Sequence, residues 1–173
     1  FEAANPNKLT SILEEKQQKL QEILPELENI TKIVFEKPSV ELYEGKEGIK
    51  TLLEEILRLK PKSILYAYAN NKLFERLEFY FPNFVKRRIK NKIHAKIIQQ
   101  KTSALFKARK NDAAELREMR FSPVTFKTSV FIYGDKVAFI TLEEDNFVGV
   151  KIKNKAIAET QKQVFAQLWG LAE

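Results

Sequence analysis

From residue 39 onward, segments with strand periodicity and segments with helix periodicity follow one another in an order that limits the possible folds. Seven short runs have the alternating or apolar pattern of strands: Ser39–Tyr43, Ser63–Ala69, Ile93–Gln99, Glu118–Phe121, Phe126–Tyr133, Lys136–Leu142 and Phe147–Ile152. Three amphipathic segments have the pattern of helices: Ile49–Leu59, Asn70–Lys90 (interrupted at Pro82) and Ala156–Leu171. Residues 101–115 are polar and are expected to form a loop with some helix. Because strands alternate with helices first and cluster afterwards, the order predicts a three-layer α/β fold with a mixed central sheet flanked by helices.

Composition excludes several classes of protein and site. The chain has 173 residues, of which 44% are hydrophobic and 31% charged, and this suits one folded domain, or one domain with an appendage. No apolar run approaches the roughly 20 residues that span a bilayer, so no membrane association is expected. The chain has no cysteine and one histidine, His94, so no metal or cofactor is predicted. The phosphate-binding patterns GxGxxG and GxxxxGK(S/T) do not occur.

The N-terminal sequence FEAANPNKL has neither an initiator methionine nor an apolar signal core. It is interpreted as a cut point in a longer protein rather than as a signal peptide. A cytoplasmic location is the corresponding expectation.

The N-terminal segment has the spacing of a coiled coil. Asn5-Pro6 suits the start of a helix, since asparagine can cap it and proline is favoured in its first turn. Apolar residues then recur at alternating spacings of four and three, with Lys16 as one polar position; they are Leu9, Leu13, Leu20, Ile23, Leu27 and Ile30. The pattern predicts a helix over residues 1–35 that dimerises with a second copy, and packing of that helix on its own domain is the alternative. Pro25 is expected to kink it.

Positive charge is concentrated in the middle of the chain. Residues 61–110 carry 13 basic and 2 acidic groups, a net charge of +11, whereas the whole chain has +7. The densest part of this segment contains Arg87, Arg88, Lys90, Lys92 and Lys96. The cluster predicts a surface that faces an anion such as nucleic acid, a phosphate ligand or an acidic partner. A solvated helix face that keeps the protein soluble is the alternative.

Three groups of residues are candidate contacts for a small-molecule effector, because open α/β sheets bind ligands beyond the carboxyl ends of their strands. The first group follows the first predicted strand and opens a helix; its members are Tyr43, Glu44, Gly45 and Gly48. Free N–H groups at that helix start can hold an anion, although the two glycines can equally serve a tight turn and close helix packing.

The second group, Tyr66, Tyr68 and Asn70, ends the second predicted strand and offers hydroxyl and amide groups to a polar ligand. Because Tyr66 and Tyr68 share one face of a strand, they can also be ordinary residues at the edge of the core. The third group, Arg117 and Arg120, can pair with a ligand carboxylate or phosphate. Structural ion pairs with the acidic residues beside these arginines are the alternative; those acids are Asp112, Glu115 and Glu118.

Four stretches of the chain resemble a known family. VELYEGKEGIKTLLEEIL, FKTSVFIYGDKVAFITL and FVGVKIKNKAIAETQKQVFAQLW are similar to the C-terminal half of TrmB-like transcriptional regulators of archaea and bacteria. FEAANPNKLTSILEEKQQKLQEILPEL resembles the last wing strand and the coiled-coil helix that follow their DNA-binding module. The resemblance implies a homodimer with a coiled-coil helix at 1–35 and a phospholipase D-like half domain at 36–173 that senses an effector. It also implies that a winged helix-turn-helix module, which would bind DNA, precedes this chain.

A phospholipase D fold raises the possibility of phosphodiesterase activity. Its signature is HxK followed after four residues by Asp, with the histidine attacking phosphorus and the lysine neutralising phosphoryl oxygens. The segment HAKIIQQK supplies His94 and Lys96, but a lysine occupies the aspartate position. The resemblance instead aligns the signature with FKTSVFIYGD, where Phe126, Thr128 and Tyr133 replace the three catalytic residues.

The chain is therefore predicted to be non-catalytic and to form the effector-sensing and dimerisation part of a DNA-binding regulator. A phospholipase D-like phosphodiesterase and a basic nucleic-acid-binding module are the alternatives.

Overall fold

The computed structural model describes residues 13–24, 38–143 and 146–173. Contacts divide the chain after Lys37 into two units. In the first unit, residues 13–24 are helical and are named α1. Leu9, Leu27 and Ile30 of the predicted coiled-coil seam lie outside the described residues. No helix in the described ranges is long and apolar enough to cross a membrane.

The second unit contains seven strands and five α-helices within its described residues. In chain order they are β1 (Ser39–Glu44), α2 (Gly45–Ile56), β2 (Ile64–Ala69), α3 (Lys72–Arg76), α4 (Phe81–Lys90), β3 (His94–Gln100), α5 (Ser103–Ala108), β4 (Arg117–Ser122), β5 (Ser129–Tyr133), β6 (Lys136–Glu143), β7 (Asn146–Lys153) and α6 (Lys155–Leu171). A short 3₁₀ helix, Arg109–Asn111, follows α5. The predicted α/β class is confirmed.

The seven strands form one mixed sheet in the order β1-β7-β6-β5-β2-β3-β4. β2, β3 and β4 are parallel because helical segments connect them, and such crossovers return the chain to the same end of the sheet. β5, β6, β7 and β1 are antiparallel. β5 pairs antiparallel with β2, so the direction of the sheet changes between these two strands.

One face of the sheet is covered by α2, α3 and α4. The buried stripe of α2 includes Ile49, Leu52 and Ile56, each 0% exposed. Gly149 of β7 lies beneath this helix, and a Cβ atom there would be 3.0 Å from the Cδ1 atoms of Ile49 and Leu52. The glycine therefore lets the helix approach the sheet closely.

The opposite face is covered by α6, which supplies a smaller aromatic core. Asn154 caps this helix by accepting a hydrogen bond from the Ile157 N–H at 3.0 Å. Phe165 is 2% exposed, and its ring centroid lies 5.1 Å from that of Tyr66 and 5.6 Å from that of Tyr68. This aromatic packing holds α6 on β2.

The structure differs from two predicted element boundaries for local reasons. The segment from Asn70 to Lys90 is two helices, and Pro82 lies in the first turn of the second, where its missing N–H has no consequence. The strand predicted to start at Phe126 starts at Ser129, because the Asn70 side chain donates to the carbonyls of Phe126 and Lys127 at 2.8 Å each. These two carbonyls therefore do not join the hydrogen-bond ladder of the sheet.

Candidate functional site

The carboxyl end of β2 meets the amino end of β5 at the position where the sheet changes direction. Asn70 ties these two strands together. Its backbone N–H donates to Ser129 Oγ at 2.9 Å, and its side-chain oxygen accepts from the Lys72 N–H at 2.9 Å. Its side-chain amide nitrogen donates to the carbonyls of Phe126 and Lys127. Asn70 is thus occupied by structural hydrogen bonds and does not present a free amide to a ligand.

The two tyrosines predicted to meet a ligand pack under α6. Tyr68 is 6% exposed, and its ring stacks on Phe126 and Phe165 with centroid distances of 5.6 Å in each case. Its hydroxyl lies 3.3 Å from Gln161 Oε1, and burial raises the pKa of Tyr68 to about 12. Tyr66 meets Phe165 edge to face. These contacts correspond to the alternative interpretation, in which both tyrosines belong to the core.

The resemblance aligns Phe126, Thr128 and Tyr133 with the histidine, lysine and aspartate of the phospholipase D signature. Phe126 stands at the histidine position and packs on Tyr68, and Thr128 stands at the lysine position. Tyr133, at the aspartate position, is 1% exposed, and its hydroxyl has no hydrogen-bond partner among the described residues. His94 pairs with Ile64 at the amino ends of β3 and β2. The histidine therefore lies at the end of these strands opposite to Asn70, which follows the carboxyl end of β2.

The turn between β1 and α2 has a backbone reason for both of its glycines. Gly45 has φ of +69°, a conformation that strains other residues. A Cβ atom at Gly48 would lie 3.2 Å from the carbonyl carbon of Tyr43. Glu44 stands at the N-cap position without a side-chain capping bond, and the Tyr43 hydroxyl donates to Glu41 Oε2 at 2.7 Å. The turn and the close packing therefore account for the glycines, and anion binding here stays a prediction.

Arg117 and Arg120 form structural contacts. The Arg117 guanidinium pairs with Asp112 at 2.8 Å and with Glu115 at 2.9 Å, and its side chain is 13% exposed. Arg120 donates to the Trp169 carbonyl at 2.8 Å, and its guanidinium lies 4.6 Å from the centroid of the Trp169 ring. Arg117 therefore forms the ion pairs that the alternative interpretation expects, whereas Arg120 contacts Trp169 and lies 3.8 Å from Glu118.

The predicted basic surface is wrong at Arg88, which is buried, whereas Arg87 is exposed and its charge is paired. Arg88 is 2% exposed and donates to the backbone carbonyls of Ile93, Glu115 and Leu116. Burial lowers the pKa of Arg88 to about 10, which leaves it charged at neutral pH. Arg87 forms a two-bond pair with Glu54, with both N–O distances 2.6 Å.

The other three members of the predicted surface are Lys90, Lys92 and Lys96, and they differ in their surroundings. Lys90 and Lys92 are exposed. Lys96 lies on the sheet face that α6 covers, 5.2 Å from the Trp169 ring centroid and 3.7 Å from Glu118. The basic cluster therefore loses Arg88 to the interior, and binding of a nucleic-acid backbone by the exposed members stays a prediction.

A charged cluster between α2 and the sheet was not found from the sequence. Glu55 accepts hydrogen bonds from Lys136 at 2.6 Å and from Lys151 at 2.5 Å, and Lys151 also pairs with Glu41 at 2.9 Å. Burial tends to raise the pKa of Glu55, but the two ammonium groups outweigh it and hold that pKa below its ordinary value. Strand alternation offered a signal, since Lys151 shares the inward face of β7 with Phe147.

The described residues contain no group of three or more His, Asp or Glu side chains that could hold a metal ion. Most of the polar side chains that were predicted to bind a ligand instead form hydrogen bonds, ion pairs or ring contacts within the domain.

Comparison with known proteins identifies the fold. No protein-family model matches the sequence, and no curated protein sequence matches it. One similar solved structure is that of TrmBL2, an archaeal chromatin protein that shows a novel mode of DNA binding. It superposes on this chain with a TM-score of 0.56 at 20% identity. That match covers 96% of this chain, which spans 65% of the TrmBL2 chain.

Two bacterial proteins match the fold as well. Nuc from Salmonella typhimurium, a phospholipase D family member, has a TM-score of 0.54 at 16% identity and covers 79% of this chain and 97% of its own. NucT from Helicobacter pylori has a TM-score of 0.56 at 11% identity and covers 79% of this chain and 98% of its own. The chain therefore contains an α/β domain with a phospholipase D-like fold.

Proposed function

We propose that this chain is the effector-sensing and dimerisation part of a TrmB-like DNA-binding transcriptional regulator and that it is not an enzyme. The observation that carries this proposal is a phospholipase D-like fold that has Phe126, Thr128 and Tyr133 at the positions which the resemblance aligns with the signature. The likeness to TrmBL2 supports it, because that likeness covers 96% of the chain whereas the likeness to Nuc covers 79%. DNA contact is assigned to a winged helix-turn-helix module.

In this mechanism, dimerisation sets the distance between two DNA-binding modules and hence the spacing of their half-sites. An effector changes DNA affinity only if it binds one arrangement of the dimer more tightly than another. The sensing domain therefore needs a ligand site, and the dimer needs a stable helical contact.

The first test concerns catalysis. Attack on a phosphodiester in this fold needs a nucleophile at the histidine position and a cationic group at the lysine position; Phe126 is not a nucleophile and Thr128 is not a cation. Hydrolysis of bis(p-nitrophenyl) phosphate, followed by absorbance, is expected to equal the rate in buffer and to be unchanged in His94→Ala.

Turnover by the unaltered chain that disappears in His94→Ala would contradict the proposal. It would favour the phosphodiesterase alternative, which the fold of Nuc and NucT supports.

The second test concerns dimerisation through α1. Leu13, Leu20 and Ile23 are 67%, 57% and 50% exposed, and their spacing of seven and three places them in one stripe of the helix. Leu13→Asp combined with Leu20→Asp is expected to convert a dimer to a monomer in sedimentation velocity, because each dimer would then bury four carboxylates.

The matched control is Gln18→Asp combined with Gln21→Asp, which adds the same charge away from the stripe and should leave the dimer intact. A Leu13→Asp, Leu20→Asp variant that still sediments as a dimer would show that α1 is not the dimer contact.

A further inference from the structure

A cavity of about 600 Å³ lies between α4, α5 and the β3–β4 part of the sheet. Its walls are mostly apolar and include Phe81, Val85 and Ile89 from α4, Leu105 from α5 and Met119 from β4. It lies on the sheet face opposite α6. The volume falls within the range of roughly 300–1,000 Å³ that small-molecule sites occupy.

Gln99 of β3 is the uncharged polar residue among those that line this cavity. It is 0% exposed, and strand alternation places it on the same face as Ile97. Neither its side-chain oxygen nor its side-chain nitrogen has a hydrogen-bond partner among the described residues. A buried amide without partners is unfavourable in the ligand-free protein, and leucine would fill the same space without that cost.

We propose that this cavity binds a small, flat, mostly apolar molecule whose one polar edge carries a donor beside an acceptor, as in a lactam. Once the side chains that cover Gln99 shift, such an edge pairs with its amide through two hydrogen bonds, one donated by Gln99 Nε2 and one accepted by Gln99 Oε1. The apolar remainder of the molecule fills the space between α4 and α5.

The charges around the cavity favour a neutral ligand. Glu78 and Lys86 are exposed at its rim, and they carry opposite charges. Arg117 contributes to the wall, but its guanidinium is paired with Asp112 and Glu115. Glu115 also lines the cavity, so the two acidic and two basic side chains of the lining balance, and an anion has no advantage over a neutral lactam.

α5 is the wall that ligand binding can change. None of its side chains is buried, and Thr102 caps it by accepting a hydrogen bond from the Leu105 N–H at 3.2 Å. A segment with few buried contacts opens easily, so a ligand that packs on Leu105 can order it. The inference deepens the effector-sensing part of the proposed function, yet binding is measured without DNA.

The test is a titration of the 173-residue chain with carbostyril, a bicyclic lactam, followed by protein-observed NMR. N-methylcarbostyril is the matched probe, because methylation removes the donor and keeps the apolar surface. Carbostyril is expected to bind about tenfold more tightly than its N-methyl derivative. In Gln99→Leu this preference should disappear, whereas Gln100→Leu, the same change at the exposed neighbouring residue, should keep it.

Val85→Trp provides a second variant that fills the cavity from α4, and it should abolish binding of both probes. The proposal is overturned if carbostyril shows no saturable binding to the unaltered chain, or if Gln99→Leu binds both probes with unchanged affinities. If Gln99→Leu does not fold, the proposal is still tested by comparing the two probes on the unaltered chain and by measuring their binding to Val85→Trp. Absence of binding in a chain that remains a dimer would remove this site and leave the proposed regulator standing.

Discussion

Replacement of Arg88 by methionine is expected to lower the free energy of unfolding by about 3 kcal/mol. The guanidinium is buried and donates to the carbonyls of Ile93 at 2.5 Å, Glu115 at 2.6 Å and Leu116 at 3.1 Å. Methionine nearly keeps the volume of the side chain but leaves these acceptors without their charged donor. Urea denaturation followed by circular dichroism measures the loss as a lower midpoint at an unchanged slope.

Lys90→Met is the control for this experiment, because Lys90 is an exposed cation on the same helix. Its effect is expected to stay within about 0.5 kcal/mol. If both variants lose the same small amount of stability, Arg88 does not join α4 to β3 and β4 in the way the hydrogen bonds indicate.

Replacement of Glu55 by glutamine is expected to lower the free energy of unfolding by about 2 kcal/mol at neutral pH. Glu55 lies between Lys136 and Lys151, and the Lys151 side chain is 7% exposed. The uncharged amide leaves Lys151 with Glu41 as its remaining acidic partner, at 2.9 Å. The loss is smaller than for a fully isolated buried charge, because this partner is kept.

The effect of Glu55→Gln depends on pH in a defined direction. Since the pKa of Glu55 is lowered in the folded protein, its carboxylate stabilises the fold above the ordinary carboxyl pKa of 4.5. This contribution is lost as the pH falls through the folded-state pKa. The stability difference between the two proteins should therefore shrink in acid below that ordinary value, as urea titrations at several pH values would show.

Glu54→Gln is the matched control for Glu55→Gln, with the same chemical change one residue earlier on α2. Its partner Arg87 has a side chain that is 54% exposed, so the pair is screened by water. We expect a loss below about 1 kcal/mol. Equal losses in the two variants would mean that burial of Lys151 does not make the Glu55 pair stronger.

Some of the site could be predicted from neighbouring residues alone. Phe126, Thr128 and Tyr133 are read directly from the sequence, and their alignment with the phospholipase D signature follows from the resemblance alone. The ion pairs of Arg117 were available as an alternative because Asp112 and Glu115 lie within five residues of it.

The prediction that Arg88 lies on the basic surface was wrong because the basic residues were counted without the helical period. Arg88 follows Phe81 and Phe84 at spacings of seven and four, so it lies on the buried stripe of α4. The helical period therefore predicts that Arg88 is buried, but the usual exposure of arginine led to the opposite prediction.

The sequence by itself determined the α/β class, because the periods of strands and helices are local properties that a few adjacent side chains express. It also supplied the residues on which the proposed loss of the phospholipase D signature rests. Only the tertiary structure decided the partners of Glu55, since Lys151 is 96 residues away in the chain, and the position of Gln99 under α4 and α5. Such contacts depend on the order of strands in the sheet, which brings distant segments together and which the local periodicity of each segment does not encode.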